Sequence, residues 1–223
     1  MPAAKPLKIA VRDTAVSALW LKPPAAKAAL VLAHGAGAGM THRSMAAIAD
    51  GLAARGIATL RFNFLYMERG SKRPDAPPLA QAAIRAAVEE ARRLAPKLPL
   101  FAGGKSFGGR MTSQAQASGP LPDVRGLVFF GFPLHAAGAP GIERAAHLDA
   151  VKVPMLFLSG TNDALADLKL LKKVVAGLGR RATLELAEHA DHSFHVPART
   201  GLRDADVLAS LLDAARAWML KHA

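Results

Sequence analysis

Short apolar runs alternate with longer amphipathic segments along most of this chain. Ala29–Ala33 is apolar at every position, which is typical of a strand buried on both faces of a sheet, and Ile57–Phe62 is predicted to be the next strand. Asp204–Leu220 instead repeats its apolar residues at helical spacing. The alternation of the two patterns predicts an α/β fold, with a mostly parallel sheet and helices on both of its faces.

The same patterns place the remaining elements. Further strands are predicted at Lys8–Val11, Ala18–Leu21, Leu100–Ala102, Val124–Phe130, Pro154–Leu158 and Ala182–Ala187. Further helices are predicted at Ser44–Ala54, Leu79–Leu94, Phe107–Ala117 and Leu165–Ala176. Lys8–Val11 and Ala18–Leu21 are expected to pair as an antiparallel hairpin. Right-handed crossovers bring the carboxyl ends of parallel strands to one edge, so functional side chains should follow the strand ends.

Composition narrows the class of protein. The 223 residues are 51% hydrophobic, enough for one sizeable core, and we expect a single domain over residues 1–223. The sequence contains no cysteine, which excludes disulfides, a thiol nucleophile and thiolate metal ligands. The first residues lack the pattern of a signal peptide, and no stretch reaches the ~18 apolar residues of a membrane span. We therefore expect a cytoplasmic protein without a membrane partner.

The net charge of +12 raises the question of a polyanionic partner. The basic residues are spread over several segments, and the single tyrosine supplies no aromatic platform for bases. We therefore expect a solvated basic surface and no nucleic-acid partner. The alternative is a basic rim that attracts an acidic substrate.

A glycine-rich turn supplies the predicted nucleophile. Gly104-Lys105-Ser106-Phe107-Gly108 fits the pattern G-x-S-x-G, and it follows a predicted strand and opens a predicted helix. In such a turn the serine is forced into a strained backbone conformation, and its hydroxyl stands clear of the sheet. Ser106 is therefore the candidate nucleophile.

A second glycine-rich loop supplies the predicted oxyanion hole. His34-Gly35-Ala36-Gly37 directly follows the strand Ala29–Ala33. Acyl transfer needs two backbone N–H groups directed at the developing oxyanion. We expect one from Phe107, the residue after the nucleophile, and one from Ala36, with Gly37 as the next choice.

The acid and the base should follow the nucleophile in that order. Asp163 comes after the strand Pro154–Leu158, which places it at the functional edge of the sheet. His192 lies in the middle of the loop after Ala182–Ala187, where the chain turns back over that edge. His189 and His195 are the alternatives for the base, and three histidines at this spacing also raise the question of a metal site.

We expect no metal and no cofactor, because carboxylate partners at ligand spacing are missing around the three histidines. His34 and His135 are expected to shape loops. The segment Phe64–Pro78 is rich in charged residues and is either a wall of the pocket or a surface loop with internal ion pairs. The stretch Leu134–Val151 is too short for a cap domain, so the site should be open.

These motifs together resemble α/β-hydrolases of the dienelactone-hydrolase type. The matching segments are HGAG, GGKSFGG, SGTND and ADHSF, which occur in this order along nearly the whole chain. The segments Arg61–Phe64, Tyr66–Gly70, Lys72–Asp75, Gly104–Met111 and Phe132–His135 further resemble a small-hydrolase subgroup. That subgroup includes bacterial proteins of unassigned substrate and relatives of a chromatin-complex subunit and of a testis-expressed protein.

The resemblance implies a serine hydrolase acting on a small-molecule acyl substrate through an acyl-enzyme. Dienelactone hydrolases proper have a cysteine nucleophile, whereas Ser106 stands at that position here, which favours ordinary ester chemistry. The same triad would also serve a thioesterase or a peptidase. A non-catalytic scaffold is the alternative from a different class, since a fold does not imply a function. The sequence leaves the oligomeric state open.

Overall fold

The structure is a computed structural model that describes residues 2–223. Its centre is one eight-stranded sheet. The strands are β1 (Lys5–Val11), β2 (Thr14–Leu21), β3 (Ala28–Ala33), β4 (Ile57–Phe62), β5 (Leu100–Lys105), β6 (Val124–Phe130), β7 (Met155–Gly160) and β8 (Ala182–Ala187). Their order across the sheet is β1-β2-β4-β3-β5-β6-β7-β8. Strands β1, β2 and β4 pair antiparallel, and every pairing from β4 to β8 is parallel.

Helices cover both faces of this sheet. They are α1 (Arg43–Ala54), α2 (Leu65–Glu68), α3 (Pro77–Leu94), α4 (Phe107–Ser118), α5 (Leu168–Leu178) and α6 (Asp204–Lys221). Short 3-10 helices lie at Glu143–Ala150, Gly179–Arg181 and Ala198–Thr200. Helices α1 and α6 pack on one face, whereas α2, α3, α4 and α5 pack on the other. The predicted fold class, a mostly parallel sheet between helices, is confirmed.

Strand β3 shows why a central strand can be apolar at every position. All six of its residues are buried. Successive side chains of a strand point to opposite faces, so Leu30 and Leu32 pack towards α1 and α6, whereas Ala29 and Val31 pack towards α3 and α4. A strand covered on both faces therefore carries no polar alternation.

The parallel register brings the carboxyl ends of the central strands to one edge. Ala33 at the end of β3 lies opposite both Phe62 of β4 and Gly104 of β5. Lys105 of β5 lies opposite Phe130 of β6. The loops that follow these strands therefore emerge side by side, as the sequence predicts.

Several predicted boundaries were wrong by a few residues, for local reasons. Strand β5 continues past Ala102 to Lys105, because Gly103 and Gly104 still pair with β3 and β6. Helix α5 begins at Leu168 instead of Leu165, because the Asp167 carboxylate accepts the N–H of Leu170 at 3.0 Å and caps the helix there. Helix α2 was not predicted, since four residues are too few to show a period.

The segment between β6 and β7 contains one 3-10 helix, and no separate cap domain is present in residues 2–223. This agrees with the short connection seen in the sequence. Within the same residues, no helix combines the length and the apolar character needed to cross a membrane.

Candidate active site

The predicted nucleophile stands in a sharp turn between β5 and α4. Ser106 has φ 50° and ψ −117°, a strained conformation for a residue with a side chain. The turn is possible because the residues two before and two after Ser106 are glycines. A Cβ atom at Gly104 would clash with the carbonyl oxygen of Ala33, and one at Gly108 would lie 2.5 Å from the same oxygen. Glycines at both positions let the turn and α4 approach the end of β3.

Ser106, His192 and Asp163 form one continuous hydrogen-bonded chain. Ser106 Oγ lies 2.9 Å from His192 Nε2, and His192 Nδ1 lies 2.8 Å from Asp163 Oδ2. With the imidazole proton on Nδ1, the serine hydroxyl donates to Nε2 and the Nδ1–H group donates to the carboxylate. The His192 side chain is 21% exposed and that of Asp163 is fully buried. This is the arrangement that activates a serine hydroxyl.

Asp163 is fixed by a second hydrogen bond. It follows β7, and its Oδ1 atom accepts the N–H of Leu165 at 2.8 Å, while Oδ2 accepts from His192. Both carboxylate oxygens are therefore used. The N–H group of the second bond belongs to the turn after β7 and not to a helix. Asp167 caps the helix that follows.

The loop after β8 is folded around Asp191 so that His192 points at the serine. The Asp191 carboxylate accepts the N–H groups of Ser193 at 2.7 Å and of His195 at 3.0 Å. Lys105 Nζ donates to the His192 carbonyl oxygen at 2.8 Å. Lys105 thus joins the Ser106 turn to the histidine loop, a contact that the sequence did not reveal.

The alternative histidines are directed elsewhere. His189 is exposed, and its backbone N–H donates to Thr161 Oγ1 at 2.8 Å. His195 is exposed and pairs with Asp204 at 2.9 Å; this pairing raises the pKa of His195. Among residues 2–223, no group of three or more histidine or carboxylate side chains is arranged to hold a metal ion.

The predicted oxyanion loop lies beside the serine. A Cβ atom at Gly35 would be 3.7 Å from Ser106 Cβ. The N–H of Ala36 donates to no acceptor in the described part of the chain. The N–H of Phe107 also donates to none there, because Phe107 is the first residue of α4 and its N–H has no carbonyl partner within the helix. Both predicted donors are therefore available to a ligand.

Buried side chains hold this loop in place. His34 is fully buried; its Nε2 atom accepts the N–H of Phe64 at 3.1 Å, and Nδ1 donates to the Gly35 carbonyl oxygen at 2.8 Å. Burial lowers the pKa of His34 to about 4, so the ring is neutral. The hydroxyl of Tyr66, also fully buried, accepts the N–H of Gly37 at 3.3 Å. His34 therefore shapes a loop, as expected, and Tyr66 is a support that the sequence did not indicate.

The charged segment 64–78 contains an internal ion pair. Asp75 has a fully buried side chain that binds Arg69 at 2.6 Å and accepts the N–H of Tyr66 at 3.0 Å. Glu68 lies 3.7 Å from Lys8 and also accepts the N–H of Ser17. Of the two alternatives left open by the sequence, internal ion pairing is the one observed, and through Tyr66 the segment also supports the oxyanion loop.

A groove of about 850 Å³ opens in front of Ser106. It runs between the oxyanion loop, the start of α1, the histidine loop and the start of α6. Its side chains include His42, Arg43, Leu165, His195 and Asp204. The groove is large enough for a small-molecule ligand, and no cap domain covers it.

A second serine–histidine contact lacks the features of a reactive site. Ser113 Oγ lies 2.7 Å from His147 Nε2. Ser113 is fully buried, and its hydroxyl also lies 2.9 Å from the Arg110 carbonyl oxygen. No carboxylate in residues 2–223 contacts the other ring nitrogen of His147, and burial with the Arg110 charge lowers the pKa of this histidine to about 4. The contact ties α4 to the 3-10 helix that follows β6.

Comparison with known proteins defines the family. The family described as the alpha/beta hydrolase domain matches residues 26–220. That range includes the Ser106 turn, Asp163, His192 and the oxyanion loop. This chain belongs to the alpha/beta hydrolase domain family.

Solved structures share the whole architecture. A dienelactone hydrolase from Anabaena variabilis is 20% identical, with a TM-score of 0.78 over 99% of this chain and 98% of that one. An α/β serine hydrolase without lid from Xanthomonas campestris is 21% identical, with a TM-score of 0.75 over 98% and 96%. Est1E from Butyrivibrio proteoclasticus, solved with ferulic acid, is 16% identical, with a TM-score of 0.77 over 97% and 98%. At these identities the likeness concerns the fold.

Proposed function

We propose that this protein is a serine hydrolase that cleaves a carboxylic ester bond of a small-molecule substrate. The observation that carries the proposal is the hydrogen-bonded chain from Ser106 through His192 to the buried Asp163. It lies at the mouth of an open groove and beside two unpaired backbone N–H groups. The strain at Ser106 adds support, because an unfavourable backbone conformation persists where a function requires it.

The proposed mechanism follows from these positions. Ser106 Oγ attacks the ester carbonyl carbon while its proton passes to His192 Nε2, and the N–H groups of Ala36 and Phe107 bind the oxyanion. His192 then gives the proton to the leaving alcohol as the acyl-enzyme forms. Water attacks the acyl-enzyme with His192 as base, which releases the acid and restores the serine. Asp163 keeps the imidazole oriented and stabilises its charged form. The mechanism uses no cofactor.

Three further assignments accompany this proposal. Residues 1–223 act as one domain, which the participation of all eight strands in one sheet supports. The chain belongs to the small-hydrolase subgroup that it resembles, and the Tyr66 segment that supports the oxyanion loop is among the residues that carry the resemblance. The basic surface is solvated and binds no nucleic acid; several of its arginines are already paired with carboxylates, such as Arg92 with Asp123.

A panel of p-nitrophenyl esters, acyl-CoA thioesters and peptide anilides tests the reaction class. We expect hydrolysis of the esters, with kcat reduced by at least about 10³-fold in Ser106→Ala. Ser113→Ala is the matched control, and it should retain ester turnover within about threefold. Faster cleavage of thioesters or anilides would assign the same triad to that substrate class. Full ester turnover in Ser106→Ala would reject the assignment of Ser106 as the nucleophile.

A further inference from the structure

A second cavity lies next to the groove in front of Ser106. It has a volume of about 240 Å³, is lined by α1, α6 and the histidine loop, and is open to solvent on one side. Five residues line both spaces, so the cavity is a side branch of the groove. The shared residues are Ser44, Ala47, Lys105, Ser193 and Asp204.

The walls of this side cavity are apolar. Ile48 and Phe194 are buried and form part of the lining, together with the half-buried Leu208. Ala47 and Ala205 are exposed residues at the rim. An apolar cavity of about 150 Å³ is enough to hold a benzene ring. The side cavity therefore has room for one aromatic ring or an aliphatic group of similar size.

Three of the four polar side chains at the boundary are paired within the protein, and the fourth is that of the exposed Ser193. Ser44 Oγ lies 2.8 Å from His42 Nδ1. Lys105 Nζ donates to the His192 carbonyl oxygen at 2.8 Å and lies 4.9 Å from the centre of the Phe194 ring. The Asp204 carboxylate binds His195 and also accepts the N–H of Val196 at 2.9 Å. These groups offer little to a polar ligand, because binding one would break an existing contact. An apolar ligand leaves them undisturbed.

The position of the side cavity relative to His192 indicates which part of the substrate would enter the cavity. Ser193 and Phe194 directly follow His192 and line the cavity. In the proposed mechanism His192 delivers its proton to the leaving oxygen, so the leaving group lies on the His192 side of Ser106.

From this geometry we infer that the side cavity binds the alcohol part of the substrate and selects esters of aromatic or similarly sized apolar alcohols. The inference rests on the proposed ester hydrolysis and adds the substrate class. The burial of a phenyl group predicts a preference of at least about tenfold in kcat/KM over an ester of a two-carbon alcohol.

Benzyl acetate and ethyl acetate test the selectivity, with acetate release as the readout. Both esters release primary alcohols of similar acidity, so the comparison reports the fit of the leaving group. We expect the wild type to prefer benzyl acetate at least about tenfold, and Ala205→Phe, which fills the cavity from its rim, to remove that preference. Ala217→Phe, at an exposed position of α6 that lines neither space, is the matched control and should keep it. Equal preference in the wild type and Ala205→Phe would overturn the inference.

Binding of benzyl alcohol to Ser106→Ala, followed by ligand-observed NMR, separates this inference from the proposed function. Binding that is lost in the double variant with Ala205→Phe supports the cavity even if no ester is hydrolysed. In that case the proposed ester hydrolysis fails alone. If benzyl alcohol does not bind, or binds equally to both variants, the cavity assignment is rejected whatever the esterase result.

Discussion

At the scale of single residues, the site is held by contacts from distant parts of the chain: Lys105 Nζ donates to the His192 carbonyl oxygen, and the Tyr66 hydroxyl accepts the N–H of Gly37. Ser106, Asp163 and His192 could be chosen because each follows a strand and has the chemistry that acyl transfer needs. Lys105 and Tyr66 were missed as supports, because their roles arise from contacts with distant parts of the chain. A motif identifies a residue by its neighbours in sequence, whereas such contacts are set by packing.

His34 gives a residue-scale prediction about acid stability. Burial holds its pKa at about 4 in the folded protein, below the ordinary histidine value of about 6.5. Between about pH 6.5 and pH 4, His34 is therefore protonated in the unfolded chain but not in the folded one. The free energy of unfolding decreases as the pH falls through this range. Between pH 7.5 and pH 5 this single group removes about 2 kcal/mol of stability.

Urea unfolding of the wild type and His34→Gln at the two pH values measures this contribution. Glutamine offers an acceptor and a donor but does not titrate. From pH 7.5 to pH 5, His34→Gln should therefore lose about 2 kcal/mol less stability than the wild type. All other titrating groups are shared by the two proteins and cancel in the comparison. Equal losses in both would show that His34 is not the acid-sensitive group.

At the scale of elements, the oxyanion loop is held by a segment that is too short to be predicted. Helix α2 has only four residues, yet it places the Tyr66 hydroxyl 3.3 Å from the Gly37 N–H, next to Ala36. Asn63, just before this helix, accepts the N–H of Met40 at 2.9 Å on the far side of the loop. The chain that follows Ala36 is thus held at Gly37 and at Met40, and the His34 contact with Phe64 holds the start of the loop, so that the Ala36 N–H stays directed at one point.

Tyr66→Phe tests whether this anchoring matters for turnover. The ring stays buried while the acceptor for Gly37 is lost, so we expect kcat to fall by about 3- to 10-fold with KM nearly unchanged. The effect should be smaller than removal of an oxyanion donor, which costs about 10²- to 10³-fold. Steady-state kinetics on a p-nitrophenyl ester measures the split between kcat and KM.

Phe101→Leu is the control for a loss of stability alone, since Phe101 packs against Trp218 on the other face of the sheet. It should lower the melting temperature without lowering kcat. If Tyr66→Phe keeps full kcat, or if both variants lower kcat equally, the hydroxyl does not position the loop.

At the scale of the whole molecule, the parallel sheet explains why so much could be predicted. Continuous apolar runs identify central strands, and parallel pairing then brings the residues after β3, β5, β7 and β8 to one edge. The sequence could not show how the starts of α1 and α6 meet over that edge, because the two helices lie far apart in the chain. The groove and its side cavity depend on that meeting, which only packing of the complete fold determines.

The central claim is that Ser106 is a reactive nucleophile in an open site. Intact-mass spectrometry after treatment with a fluorophosphonate, followed by peptide mapping, tests it most directly, because this reagent phosphonylates a serine that a histidine activates. We expect one adduct per chain, located on Ser106 and absent in Ser106→Ala, with Ser113→Ala labelled as fast as the wild type. No adduct on the folded wild-type protein, or an adduct on another serine, would contradict the account.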